Sequence, residues 1–468
     1  MLSQKEFVNR KDELEFLEEK FTSDSFESIL IYGRRRVGKT ELIKKFLKDK
    51  KHIYHLASRE EGEVQLRKLV KSAHNFFGGI KPEINEWDDF FSYFNKRVEE
   101  ETVFVIDEFP YLLEENRSIT SLFQNFIDEY LKGKNIMLIL SGSSIGMMED
   151  LMSYKNPLYG RRSGQIDLQP FKFYEAREMM GERSFEDQIK FFAVFGGVPF
   201  YLEKVNVEEN LMENIREKIF RETEVLYEEP NILLREEFRK PNRYSSILES
   251  IASGRTTPKA ISDDTDIPPQ SVPKYLNELE RIRLVKHEKP VTERNKKSRG
   301  GIYQISDNLF DFWFTFVFPN LSDVKESPEE FLEGHVSPQM SEYVGKKFEE
   351  ICREVVHLSP DLDYSQIGRW WYKEDEIDLV GLNGSDDGII FSECKWKAEK
   401  IGRGVLSALE EKVDRVKWRN NQREEKYALF SKSGFTEDLI KLEREREDLK
   451  LFTLEDMKDV LNAQISKG

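Results

Sequence analysis

Glu27-SILIY-Gly33-RRRV-Gly38-Lys39-Thr40-ELIKKFLKD decides the reading of the front of the chain. An apolar run enters a glycine-bounded loop and a helical segment leaves it, the strand–GxxxxGK[ST]–helix setting of a Walker A phosphate-binding loop. Glycine permits the tight backbone path, and successive amides across Gly33, Arg36, Val37, Gly38, Lys39, Thr40 and Glu41 cradle phosphate oxygens. Lys39 is placed to reach the β and γ phosphates, and the Thr40 hydroxyl to help hold magnesium. The helix N-terminus supplies the matching electrostatic sign. The arginines at 34, 35 and 36 are read as contributing backbone amides, with their side chains pointing outward.

Outward from this loop, residues 27–33, 52–57, 102–107, 135–141 and 165–169 form five short apolar runs separated by charged amphipathic segments. That alternation predicts a mainly parallel sheet with helices on both faces. The third run ends in Asp107-Glu108. A carboxylate at the C-terminal edge of such a strand can support magnesium, and the next can activate water for attack on the γ phosphate. The fourth run leads into SGSS, where Ser143 is a candidate sensor of phosphate, with loop capping as the plainer alternative. PLYGRRSG offers Arg161 and Arg162 to stabilise transferred charge from this subunit or a neighbour; a surface salt bridge is the other reading.

Composition sets the outer limits. The 468 residues carry 72 basic and 88 acidic side chains, a net charge of −16, with 38% hydrophobic and 34% charged residues. This excludes a uniformly basic coat and global disorder, and the length calls for several cores. Cys352 and Cys394 are too few for a disulfide scaffold. No stretch approaches the ~20 apolar residues that span a bilayer, and the N-terminus lacks a signal-peptide core, so a cytoplasmic protein without membrane contact is expected.

The expected architecture is multidomain α/β: a parallel-sheet core over 1–170, a helical lid or linker over 171–240, a winged helix over 241–320, a connector over 321–339 and a second α/β domain over 340–468. Three helical patterns, a basic loop and the strand IYQI give the helix–helix–helix–hairpin order of the winged helix. On its hairpin, Lys296, Lys297 and Arg299 are candidates for nucleic-acid phosphates, with a protein-facing wing as the alternative. The aromatic block near 309–319 reads as a core helix or interdomain contact.

In the rear, Glu376-Ile-Asp378 is followed across a turn-rich segment by IIFS-Glu393-Cys394-Lys395. Two strands joined there would bring Asp378 and Glu393 together to bind magnesium, with the Cys394 carbonyl as a further ligand. Alternation puts Lys395 on the Glu393 face, where it can orient water or stabilise phosphodiester charge. Upstream, Glu349 can face the same cluster. Lys397, Lys400 and Arg403 offer a phosphate track, while Trp370, Trp371 and Trp396 are open to packing or base stacking.

FVNRKDELEFL, GRRRVGKT, VFVIDE, LILSGSS, PLYGRR, GGVPFYL and DNLFDFWFTFV together resemble the archaeal ATPase family within the STAND branch of AAA+-like P-loop proteins, over roughly residues 5–320. The resemblance implies an ATP-binding and ATP-hydrolysing regulated switch. In it Lys39, Thr40, Asp107 and Glu108 are the Walker residues, and Pro199 of GGVP lies on the adenine side. Glu349, Asp378, Glu393 and Lys395 resemble a PD-(D/E)xK nuclease constellation of restriction-endonuclease-like fold, with Ile377 where the family name has proline. That implies a magnesium site, able to take manganese, acting on nucleic acid, DNA ahead of RNA. A noncatalytic switch, a protein effector and a nucleotide-dependent homo-oligomer stay open.

Overall fold

The computed structural model describes residues 7–293, 300–384, 387–420 and 422–465. The chain forms two compact units, Met1–Pro170 and Phe171–Gly468.

In the front unit, β1 (Glu27–Tyr32), β2 (His52–Leu56), β3 (Thr102–Asp107), β4 (Ile136–Gly142) and β5 (Gly164–Asp167) pair in parallel in the order β2-β3-β4-β1-β5. The three inner strands are buried along their whole length, as a parallel sheet covered on both faces requires. Parallel neighbours need crossovers. Helix α2 (Lys39–Leu47) links β1 to β2, α3 (Gly62–Phe77) and α4 (Trp87–Arg97) link β2 to β3, and α5 (Ile119–Phe126) lies between β3 and β4. One face packs on Leu42, Ile43 and Phe46 of α2. The other packs on Leu66 and Leu69 of α3 and on an aromatic cluster in which Phe91 and Phe126 stack at 4.2 Å. Each such buried side chain contributes about 1.5–3 kcal/mol, so the loop and the strand ends stand on a rigid base.

The second unit opens with helices, among them the buried α6 (Phe185–Phe195). There follow α7 (Pro241–Ala252), α8 (Pro258–Thr265), α9 (Val272–Arg281) and the antiparallel pair β6 (Val285–Glu288) and β7 (Ile302–Ile305). Lys296, Lys297 and Arg299 lie outside the described residues. The aromatic block is core: Phe310, Phe312, Trp313 and Phe316 are buried, and Trp313 Nε1 donates to the Tyr227 carbonyl at 3.0 Å. The expected connector is itself helical, with short helices Leu321–Glu326 and Pro328–Phe331 running toward the 22-residue α10 (Ser337–Leu358). Its prolines, Pro328 and Pro338, sit in first turns, where a missing N–H costs nothing, and Val324, Phe331, Leu332 and Val336 bury the inner side.

Helix α10 is tied to several parts of this unit at once. The Tyr343 hydroxyl donates to the Asn308 carbonyl at 3.2 Å, and Lys347 pairs with Asp311 at 2.9 Å. Glu350 pairs with Lys286, and Arg353 with Glu288 at 2.9 Å, both on β6. Glu354 accepts the amides of Phe173, at 2.9 Å, and Tyr174, at 3.4 Å.

The rear sheet holds β8 (Gln366–Tyr372), β9 (Asp375–Leu382), β10 (Gly388–Lys395), β11 (Glu424–Ser431) and β12 (Leu449–Thr453), in the order β12-β11-β10-β9-β8. Strand β9 runs antiparallel to both neighbours, and β10, β11 and β12 are parallel. Phe348 and Val355 of α10, with Met457 and Leu461 of α13 (Leu454–Ile465), cover one face. Leu406 and Leu409 of α11 (Arg403–Val413) and Leu439 of α12 (Glu437–Glu445) cover the other. No helix among the described residues is long and apolar enough to cross a membrane.

Candidate functional site

Between β1 and α2 the loop bends at three residues with positive φ: Gly33 at 151°, Arg36 at 71° and Gly38 at 96°. A Cβ on Gly33 would fall 2.2 Å from the Leu168 carbonyl oxygen, so glycine is required there. Lys39 folds back into the loop, its Nζ donating to the carbonyls of Gly33 at 2.9 Å and Arg34 at 3.0 Å. Val37 is buried, and its carbonyl accepts from Arg10 Nη2 at 3.3 Å. The same guanidinium donates to the Gln169 carbonyl at 2.5 Å and pairs with Glu13 at 3.1 Å. Arg10 therefore braces the loop from behind. It stands in FVNRKDELEFL, a stretch that marked the family without marking this residue.

Asp107, fully buried at the end of β3, gathers four donors. Its Oδ2 accepts from Thr40 Oγ1 at 2.8 Å and from the Tyr54 hydroxyl at 2.6 Å. Its Oδ1 accepts from Ser141 Oγ at 2.6 Å and the Glu108 amide at 3.0 Å. Tyr54 arrives through sheet register: it stands beside Val105, two residues short of Asp107, and its ring reaches forward. Burial and the charge of Asp107 push its phenol pKa far above the ordinary value, so it stays a donor. Glu108 takes a left-handed φ of 55°, a costly backbone for a non-glycine residue and one that concentrates at working sites. There its carboxylate accepts from the Ser143 amide at 3.2 Å and hydroxyl at 2.9 Å.

Other residues singled out from the sequence stand elsewhere. Glu41 pairs with Lys44 on the outside of α2. Arg161 is clamped on Asp128, Nη2 to Oδ2 at 2.8 Å, and donates to the carbonyls of Pro157 and Tyr159. Arg162 keeps a buried Nη1 with no hydrogen-bond partner among the described residues. Pro199 opens the helix Pro199–Lys204 of the second unit.

In the rear sheet the β8–β9 register slips. Gly368 faces Val380 and Trp370 faces Ile377, so Asp378 and Leu379 together oppose Arg369. A bulge of this kind re-aims a side chain. Here Asp378 accepts from the Cys394 amide at 2.8 Å and from Lys395 Nζ at 3.3 Å. Glu393 is bound by Lys395 and, at 2.6 Å, by Lys412 of α11. Glu349 meets Arg369 at 3.5 Å, and Arg369 also pairs with Glu376. Burial and the charge of Asp378 lift the Glu349 carboxyl well above the usual range, and burial with the charge of Glu393 lifts that of Asp378. Burial works the same way on Glu393, but Lys395 and Lys412 prevail and its carboxyl titrates below the ordinary value.

The fold brings Asp378, Glu393 and Lys395 together, with the Lys395 ammonium paired to both carboxylates. Among the described residues no group of three or more His, Cys, Asp or Glu side chains is arranged to hold a metal ion. Cys394 contributes its amide to Asp378, and its thiol is buried, as is that of Cys352. Arg369 and Lys412 were not singled out by sequence, because only the bulge and the approach of α11 give them their roles. Lys397 and Lys400 are exposed, whereas Arg403 is held by Asp438 at 3.3 Å. Trp370 and Trp396 are buried in packing.

Comparison with known proteins accords with the front site. Residues 7–205 match a family described as an ATPase domain predominantly from Archaea, and residues 313–427 match a family of archaeal and bacterial proteins of unknown function. An ATP-binding protein of Methanocaldococcus jannaschii is 67% identical over 45 residues, 10% of this chain and 76% of that protein. The solved Walker-type ATPase of Pyrococcus abyssi shares the fold at 22% identity and a TM-score of 0.50, over 66% of this chain and 97% of that one. A longer match, to an uncharacterised M. jannaschii protein, is 36% identical over 397 residues, 84% of this chain and 88% of that protein. With the phosphate-binding loop, the Asp107–Glu108 strand end and this likeness over 84% of the chain together, the chain is an archaeal P-loop ATPase and belongs to one family with the M. jannaschii protein.

Proposed function

We propose that the chain is an ATP-hydrolysing regulatory switch whose nucleotide state governs a rear site that cleaves nucleic-acid phosphodiesters. The observation that carries the front half is the meeting of Thr40, Asp107, Glu108 and Ser143 at the mouth of the Lys39 loop. The loop fits a nucleotide phosphate, since the Gly33 path leaves no room for a Cβ and Lys39 already lies along it. Thr40 and Asp107 would hold magnesium, which when bound neutralises phosphate charge. Glu108, oriented by Ser143, accepts the proton of the attacking water. Arg161 is committed to Asp128, so Arg162 is the arginine we assign to transferred charge.

The rear half of the reading is supported by the convergence of Asp378, Glu393 and Lys395 on one bulged strand pair. A second reading is favoured by the same contacts. Lys395 and Lys412 already neutralise Glu393, which suits a fold that only holds nucleic acid or a protein. Linear, single-stranded and branched DNA and RNA, incubated with magnesium or manganese, separate the two. Reactions without nucleotide, with ATP and with a nonhydrolysable analogue cover the switch. Wild type is expected to cleave at least one substrate, and Asp378→Ala none, with folding and binding intact. Binding without cleavage in every nucleotide state would establish the interaction reading instead.

We assign α7, α8, α9 and the β6–β7 pair as a winged helix that docks DNA through Lys296, Lys297 and Arg299. Replacing these three with glutamine should weaken binding across unrelated sequences and flatten its salt dependence. Unchanged affinity and slope would point to a protein effector or a second subunit at the wing.

A further inference from the structure

The Asp107 carboxylate offers about four lone-pair positions, and four protein donors use them: Thr40 and Tyr54 on Oδ2, Ser141 and the Glu108 amide on Oδ1. For Asp107 to meet a magnesium ion, or a water bound to one, a donor must withdraw. Thr40 is not the one: its hydroxyl can keep its proton on Asp107 while its own oxygen faces the cation. The Glu108 amide is backbone, fixed by the turn. Ser141 is fully buried on the inner strand β4. Tyr54 differs from all three. It comes from the edge strand β2, it is partly exposed, and its hydroxyl is carried at the end of a long side chain whose ring packs along the sheet.

We infer that Tyr54 is a positioning residue of the ATPase that competes with magnesium for Asp107 Oδ2, and so sets how tightly the metal–nucleotide complex is held. This rests on the ATPase reading of the front site. Tyr54 acts only through the Asp107 oxygen. The phenol holds the carboxylate in its working rotamer and yields to the cation, at the cost of one charge-assisted hydrogen bond. Wild-type affinity for metal–nucleotide therefore lies below what the loop alone would give.

The test is binding of a fluorescent ADP analogue to the full chain, wild type and Tyr54→Phe, titrated with magnesium and repeated in EDTA. Phenylalanine keeps the ring and its packing and removes only the hydroxyl. A hydrogen bond to a carboxylate is worth about 1.5–3 kcal/mol, so Tyr54→Phe should tighten binding by about tenfold or more with magnesium. In EDTA the two proteins should bind alike. A residue that merely supported the fold would weaken binding in both conditions. Equal or weaker magnesium-dependent affinity in Tyr54→Phe overturns the inference. Loss of the ATPase reading looks different: wild type and Lys39→Ala would then bind the analogue equally, whatever stands at position 54.

Discussion

Lys39 and Glu108 do separable things, and their substitutions should separate. Lys39→Ala removes the ammonium that lies along the phosphate loop, and is expected to abolish most nucleotide binding in a fluorescence titration. Glu108→Gln keeps the contacts with Ser143 but cannot take a proton, so binding should persist while steady-state turnover falls by about 10²–10⁴. Near-wild-type turnover in Glu108→Gln would take the general base away from this residue. Gly33→Ala tests the loop's shape: its methyl would meet the Leu168 carbonyl at 2.2 Å in a backbone region hostile to alanine, so protection of the protein by ADP in a thermal shift assay should be lost. Lys39 and Gly33 were legible from a fixed spacing in a strand–loop–helix setting, and Glu108 from the acidic pair that closes an apolar run. Arg10 and Tyr54 were not. Each reaches the site across the fold, Arg10 to a loop 27 positions away and Tyr54 to an aspartate 53 positions away, and no spacing rule connects them.

Among the elements, α10 carries a test of its own at Glu354. Burial lifts this carboxyl to about 7, against the opposing pull of the Phe173 and Tyr174 amides. An acid whose folded pKa stands above its unfolded value of about 4.3 binds more protons in the folded state across that interval. Its contribution to stability is therefore greatest below the unfolded pKa and declines as pH rises toward 7. Glu354→Gln removes the charge and keeps one oxygen to accept from the Phe173 amide, at the cost of the longer contact with the Tyr174 amide, a loss that does not vary with pH. The unfolding free energy of Glu354→Gln minus that of wild type, read from thermal melts, should therefore rise progressively between pH 5 and pH 8, by on the order of 1–3 kcal/mol over that range. A constant offset across that range would mean the carboxyl ionises without penalty. Sequence patterning marked the five front strands and β9 and β10 of the rear sheet, and missed β8 and β12. In QIGRWWY a glycine, an arginine and a bulge break the alternation, and LKLFT is a short run between charged helices. The supposed connector misled for the converse reason: proline and acidic residues mark first turns of helices as readily as they mark linkers.

For the whole molecule, the alternating strand–helix pattern stops near residue 170, where the first compact unit also ends, and the segments behind it contribute to one buried cluster. Buried residues from Phe171 through Trp313 and Phe348 to Leu461 form a single cluster. Calorimetry should accordingly show a front transition and a rear transition rather than four. ADP with magnesium at about a hundred times its Kd should raise only the front one, by about 2.7 kcal/mol, and Lys39→Ala should remove that shift. Movement of both transitions together would mean the units unfold as one. The ties made by α10 carry a different consequence, one for how such chains change over generations. With 3.6 residues per turn, a single codon inserted between Lys347 and Arg353 would rotate everything beyond it by about 100° and detach Arg353 from Glu288 and Glu354 from Phe173 together. Length change in that stretch therefore breaks several ties at once, whereas residues 359–365 after the helix carry none of them. A recombination event that exchanged the rear sheet for another would have to bring its own copy of this helix, already cut to fit the host.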